Sequence, residues 1–284
     1  MNRTVLGLVP FVLALPAELR SQVSRSCETT ASAMRLDHVV VAVRDLDAAS
    51  DAYRGLGFTL KEGRLHRNGI RNRHAKLRDG FSLELLAIDG EPGDETAARY
   101  AEFLAEGEGA AYLALRAEPS EVVDAASGAG IEAFISGERG FTYATLADPD
   151  LAAVFFLGYE TPVADPAGIV THANGVVGVD EVRIEAGRSL EALLEALGAV
   201  RCRAEAEDLP GRDGVTFAVD GGRVTLLRTP GRGKRPRVRG VRLSSIADSS
   251  GERHLPPDGT HGVWLSLVPM PSPVPGAPDR DAGP

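Results

Sequence analysis

The chain offers few side chains with obvious chemistry. It has two cysteines, Cys27 and Cys202, and six histidines, His38, His66, His74, His172, His254 and His261. Two cysteines this far apart predict no disulfide framework and no C-x-x-C site. A four-cysteine or paired-cysteine zinc site is excluded on the same count, so a metal would have to be held by His and carboxylates. Among the carboxylates Glu84 stands out. It is the one charge in Phe81 to Ile88, a run otherwise apolar apart from Ser82. A buried carboxylate without a partner is costly, so this one needs a counterpart. Asn72 and His74 are candidates. If Arg78-Asp79-Gly80 forms a three-residue turn with Gly80 left-handed, His74 faces Glu84 and Asn72 points the same way. A two-residue turn would place Arg73 and Ala75 there instead, because one step of register exchanges the faces. Arg71, Arg73 and Lys76 add positive charge that would suit an anionic substrate.

The elements that position these residues follow from periodicity. Arg35 to Val43 reads as a strand, Asp45 as the cap of a helix over 46–54, and Gly55 and Gly57 as its stop. Strands over 57–63, 70–78 and 81–88 complete a β-α-β-β-β unit. The pattern returns 73 residues later: strand 111–116, helix from Pro119, Gly128-Ala129-Gly130-Ile131 matching Gly55-Leu56-Gly57-Phe58, then strands near 131–135, 140–147 and 152–158. A third pass runs from Val177, with strand 179–185, helix 189–197 and strands 200–206, 214–219 and 223–228. A fourth is a fragment with strands near 238–244 and 262–268. Residues 91–109 are an insertion with a helix predicted over Thr96–Glu106. The basic run Arg228 to Arg242 reads as a solvated connector. The expected organisation is a two-module domain over 34–158, a linker over 159–176, a third module plus partial fourth over 177–268, and a disordered tail over 269–284.

Residues 1–33 share no pattern with the units. Arg3 and the apolar stretch Val5 to Ala17 resemble a weak secretory signal, but Met34 directly precedes the first strand and fits an initiator. The expected location is therefore cytoplasmic, with secretion as the alternative. No apolar run reaches the ~20 residues of a membrane span. The net charge of −9 argues against nucleic acid as a partner.

A β-α-β-β-β unit opening with Leu36-Asp37-His38-Val39 and closing with Leu83-Glu84-Leu85 resembles the vicinal oxygen chelate superfamily, and more narrowly its glyoxalase-like domain proteins. Supporting stretches are Leu56-Gly57-Phe58, Gly69-Ile70-Arg71-Asn72, Asp148-Pro149-Asp150 and His172-Ala173-Asn174-Gly175. The resemblance implies an α+β fold of repeated βαβββ modules forming an open, concave, barrel-like sheet, the glyoxalase/dihydroxybiphenyl dioxygenase type. It places His38 and Glu84 at metal-ligand positions and favours Asn72; Glu84 is the expected catalytic carboxylate, and Asn72, His74 and Arg73, the last two from the turn alternatives, are the expected substrate-binding residues. The implied cofactor is a divalent Fe, Mn, Ni or Zn ion. The second unit weakens that reading, because Ala111 and Phe155 stand where the matching ligands would be, and the third carries Glu181 and Thr225. His172 or Glu181 would have to supply a third ligand.

Two functions follow as expectations. One is a metal-dependent lyase or isomerase, or a dioxygenase, acting on a small oxygenated molecule. The other is metal-free sequestration of a ligand, with Phe155 and Tyr112 supplying contacts. The expected partner is a small-molecule substrate, and a homodimer stays open.

Overall fold

The computed structural model describes residues 27, 32–138, 140–161, 164–202, 214–228, 236–247 and 251–270. The first unit is β1 (Arg35–Ala42), α1 (Leu46–Gly55), β2 (Lys61–Leu65), β3 (Ile70–Lys76) and β4 (Ser82–Ile88). The insertion supplies α2 (Glu95–Glu106). The second unit is β5 (Gly109–Arg116), α3 (Pro119–Gly128), β6 (Ala133–Glu138), β7 (Phe141–Leu146) and β8 (Val154–Tyr159). The third is β9 (Val176–Ala186), α4 (Arg188–Ala196), β10 (Val200–Arg201), β11 (Gly214–Val219) and β12 (Gly222–Arg228). The fragment is β13 (Val238–Ser245), β14 (Arg253–Leu255) and β15 (Trp264–Pro269). Two differences from the periodicity stand out. β2 begins at Lys61 rather than at residue 57, because Thr59 is tied to the linker. The fragment also gains a short strand, β14, which pairs with β15, and a 3-10 turn over Pro257–Gly259 joins the two.

The strands form two open mixed sheets. The first runs β2-β3-β4-β1-β5-β8-β7-β6 and the second β10-β11-β12-β9-β13-β15-β14. In each unit the opening strand pairs parallel with the closing strand, and the two units of the first sheet meet through antiparallel β1 and β5. The expected α+β fold of repeated βαβββ modules is what the chain adopts.

One continuous core lies on the helix-bearing sides of both sheets. It takes Leu36, Val39 and Val41 from β1, Leu83 and Leu85 from β4, Val182 and Ile184 from β9, and Leu190, Leu193 and Leu194 from α4. The opposite side of the first sheet holds a separate cluster, Val40, Ala42, Ile70, Leu86 and Ala111, packed under Ala97, Tyr100 and Phe103 of α2. The helix begins where Asp94 accepts the Ala97 amide at 2.8 Å. The insertion is thus a cover for part of the concave face.

The linker locks the sheets together. His172 Nδ1 accepts the Thr59 amide at 3.0 Å, and its Nε2 lies 2.9 Å from the Lys76 carbonyl. The Asn174 side chain donates to Leu56 O at 3.0 Å and accepts the Val176 amide at 3.1 Å. Gly57 permits this approach, since a Cβ there would lie 2.9 Å from Asn174 N. Cys27 and Cys202 are joined by a disulfide with Cα atoms 5.1 Å apart. Their sequence separation gave no hint of that pairing, which ties residue 27 to the third unit. Among the described residues no helix is long and apolar enough to cross a membrane.

Candidate functional site

The turn after β3 decides which side chains meet. Leu77 donates to Phe81 O at 2.8 Å across Arg78-Asp79-Gly80, Gly80 has φ +90°, and Asp79 accepts the Phe81 amide at 2.9 Å. This is the three-residue turn, so His74 stands opposite Glu84 and Asn72 opposite Leu86. β1 brings His38 to the same face beside β4.

His38 Nε2 lies 3.3 Å from Glu84 Oε2. The other ring nitrogen, Nδ1, lies 2.6 Å from Asp37 Oδ1, and since a carboxylate only accepts, Nδ1 donates. Asp37 is in turn held by the Tyr159 hydroxyl at 2.9 Å. Asp37 reaches this place because β1 bulges: His38 pairs with Ala114 whereas Leu36 pairs with Leu115, leaving Asp37 the extra residue. On the far side of Glu84, Asn72 Nδ2 donates to Oε1 at 2.7 Å while its Oδ1 accepts the Arg64 amide at 3.1 Å. Gly63 makes room for that side chain, as a Cβ there would meet Asn72 Oδ1 at 2.0 Å.

The electrostatics follow from burial and from these partners. Burial pushes the Glu84 carboxyl up, but His74, His38, the Asn72 hydrogen bond and Lys76 together hold it below the ordinary glutamate value. Asp37 behaves likewise: burial raises it, and His38, Tyr159 and Lys76 bring it lower overall. Burial depresses His74 to about 4, so its ring is neutral at pH 7, and its Nδ1 is buried without a hydrogen-bond partner. Burial and the nearby Glu84 charge both raise Tyr100, which stays a neutral phenol. The remaining wall is aromatic. Phe155 sets its edge against the His38 ring at 5.7 Å, and Tyr112 and Tyr143 lie 6.3 and 6.2 Å from Phe155. His38 and Glu84 are 12% and 11% exposed, so the face is shielded yet open to solvent.

Not every expected residue belongs here. Arg73 points to the α1 side, where it binds Glu62, Asp47 and Ser50 at 2.7, 2.7 and 2.8 Å. The three-residue turn is the reason. His172 spends both ring nitrogens on the linker contacts and packs on Phe58 in the main core, so it has no lone pair for a metal. Glu181 lies in the second sheet, bonded to Thr225, Arg183 and Arg242. Neither supplies a third ligand. Sequence reading also missed Asp37 and Tyr159, though it placed the charge of Lys76 nearby. Asp37 sat inside the motif, but its position in a bulge is invisible to strand alternation.

A metal can be tested against these donors. The 3.3 Å between Nε2 and Oε2 matches the spacing of two ligands on a tetrahedral ion with bonds of about 2.0–2.1 Å. The Asp37 bond is the kind that orients a metal-bound imidazole. The number of donors falls short, however. Among the described residues no group of three His, Cys, Asp or Glu is arranged to hold an ion. The residues present therefore do not make a resident metal site.

Similarity to known proteins matches this geometry. The glyoxalase-like domain family matches residues 36–200. Among solved structures, a hypothetical protein from Staphylococcus aureus superposes with TM-score 0.61 and 12% identity, covering 84% of this chain and all of that one. A triple mutant of 4-hydroxymandelate synthase from Streptomyces coelicolor gives 0.56 and 13%, covering 85% and 93%. A xylose isomerase-like TIM barrel/4-hydroxyphenylpyruvate dioxygenase fusion protein gives 0.56 and 10%, covering 92% of this chain and 54% of its own. At such identities these establish a shared fold. No curated protein sequence matches significantly. With its βαβββ modules and with more than half of its length matched, the chain belongs to the glyoxalase-like domain family.

Proposed function

We propose that the concave face of the first sheet binds a small oxygenated molecule and that Glu84 moves a proton on it, in a reaction of the lyase or isomerase kind. The observation that carries this reading is the division of the face into a polar half, His38, Glu84, Asn72 and His74, and an aromatic half, Phe155, Tyr112 and Tyr143. The aromatic half would hold the ligand's apolar part and exclude water. Glu84 is ionised and fixed from one side by Asn72, which leaves Oε2 and His38 Nε2 as the pair facing the reacting atoms. Glu84 would take the proton, and His38 in its doubly protonated form, with Nδ1–H held by Asp37, would stabilise the resulting oxyanion through Nε2–H.

Proton abstraction can be tested before the full reaction is known. In deuterated buffer, a panel of small α-hydroxy ketones and 2-oxo acids should include one whose α-proton is exchanged by the protein. Glu84→Gln should slow that exchange by roughly 10²–10⁴-fold. Exchange equally fast in Glu84→Gln would overturn the assignment. Binding without any exchange favours the second reading, sequestration, which the apolar Ala111 and Phe155 support. Elemental analysis after supply of divalent metals should find well below one ion per chain. A stoichiometric ion lost in His38→Ala would restore the metal-dependent version. The partner is proposed as a small molecule, in keeping with the net charge of −9. The Cys27–Cys202 bond favours an oxidising compartment over the expected cytoplasm.

A further inference from the structure

The rim of the first sheet sets two arginines side by side. Arg116 ends β5 and pairs directly across with Arg35 at the start of β1. Like charges opposite one another on neighbouring strands repel, so each gains from an answering anion. Arg35 has one. Its Nη1 meets Asp220 Oδ2 at 3.2 Å, and its Nη2 donates to the Asp79 carbonyl. Arg116 has none. Its guanidinium carbon lies 4.9 Å from the centre of the Tyr159 ring, and among the described residues its N–H groups meet neither a hydrogen-bond acceptor nor a carboxylate.

The space in front of Arg116 is open. Arg116 and Tyr159 are half-buried, and both line a shallow cleft of about 450 Å³ at the ends of β1, β5 and β8. Stacking on the ring holds the guanidinium plane and leaves its edge of donors for a planar, forked acceptor. A side chain already held in this way loses little freedom when it binds. Two acids also line the cleft. Asp220 is taken by Arg35. Glu118 is exposed, makes no ion pair with Arg116, and accepts from Ser120 Oγ at 3.5 Å. Tyr159 stands between the cleft and the concave face. Its ring carries Arg116, and its hydroxyl donates to Asp37, which holds His38. Neither His38 nor Glu84 lines the cleft.

We propose that this cleft is a second ligand site, separate from the His38–Glu84 face, and that it takes a forked oxyanion, a carboxylate or a phosphate group, on Arg116. Two oxygens accept from the guanidinium edge, and their charge answers the Arg35–Arg116 pair.

Sodium acetate and inorganic phosphate are titrated separately into the full chain, with sodium chloride at matched ionic strength as the control. The Arg116 Nε–H resonance reports the place of binding. The ring resonances of Tyr159 report the affinity in the parent and in the variants. Acetate or phosphate should shift both sets of signals saturably beyond the effect of chloride, and the tighter of the two identifies the group the cleft prefers. Arg116→Gln should weaken that anion by about tenfold or more, the usual range for hydrogen bonds to a charged group. Arg116→Lys should recover only part of the loss, because it keeps the charge without the fork. Glu118→Gln, which removes a competing negative charge, should tighten binding. Each variant is compared at a far-ultraviolet circular dichroism spectrum matching the parent. Three results would overturn the proposal: shifts no larger than those of chloride, undiminished binding in Arg116→Gln, or loss of binding in Glu118→Gln.

Discussion

The first and second sheets share one scaffold and carry opposite solutions at the same positions. In both, a unit's opening strand lies parallel to its closing strand and antiparallel to the next unit's opening strand. Register puts Glu181 where the first sheet has His38, Thr225 where it has Glu84, and Arg242 where it has Ala114. The first sheet thus holds one carboxylate among an imidazole, an amide and aromatic rings, roofed in part by α2. The second holds a carboxylate already neutralised by arginines, with no described helix above it. The backbone alone therefore does not specify what such a face does. A carboxylate tied to permanently charged arginines is spent on structure, whereas one paired with an amide and an imidazole, whose protonation can change, is available for chemistry.

Exchanging residues across this equivalence gives the largest expected effect. Thr225→Glu would set a second carboxylate against buried Glu181, and the like charges should cost ~3–5 kcal/mol, read as a drop in the urea midpoint. Unchanged stability would mean that the two sheets are more alike than their side chains suggest. Removing the roof comes next. Phe103→Ala takes a ring that is 5% exposed out of the cluster over the first sheet and should cost ~3 kcal/mol by the same measurement.

The pH dependence separates the sheets further. The folded His74 value, about 4, lies below its ordinary 6.5. A neutral buried ring that must charge on acidification favours the unfolded chain, so its stabilisation is complete above pH 6.5 and is lost as pH falls toward 4. At ~1.4 kcal/mol per unit the loss approaches ~3 kcal/mol, and His74→Gln should flatten the stability curve in that interval. Glu84, also lowered, loses its contribution further into acid. The smallest effect is expected of Tyr159→Phe. It removes one hydrogen bond to Asp37 and should cost ~1 kcal/mol, with the His38 ring signals shifted in NMR spectra because Asp37 is freed to move.

Much of this was legible in the residues. The repeat of strand, helix and Gly-x-Gly announces the modules, and Asp79-Gly80 announces a turn between β3 and β4, although not whether it spans two residues or three. Local alternation reports which face a residue occupies, and that sufficed for Glu84 and for the helix over α2. It does not report what lies across the sheet or between modules. Tyr159 meets Asp37 from 122 positions away, and His172 spends its ring on Thr59 and Lys76, contacts that no short pattern encodes. Arg73 was open to either face until the turn length was known.

That turn has a further consequence. Asp79, which caps it, also accepts the Val179 amide at 2.7 Å, and Arg78 donates to Val177 O at 3.0 Å. Gly178 leaves space for the contact, since a Cβ there would meet Asp79 Oδ2 at 2.6 Å. Three residues therefore serve at once as the gauge that aligns the first face and as the rivet that fastens it to β9. Lengthening the turn by one residue would misalign the site and loosen the joint together. Its length is thus constrained from two independent directions, and drift in either sheet would be resisted by the other.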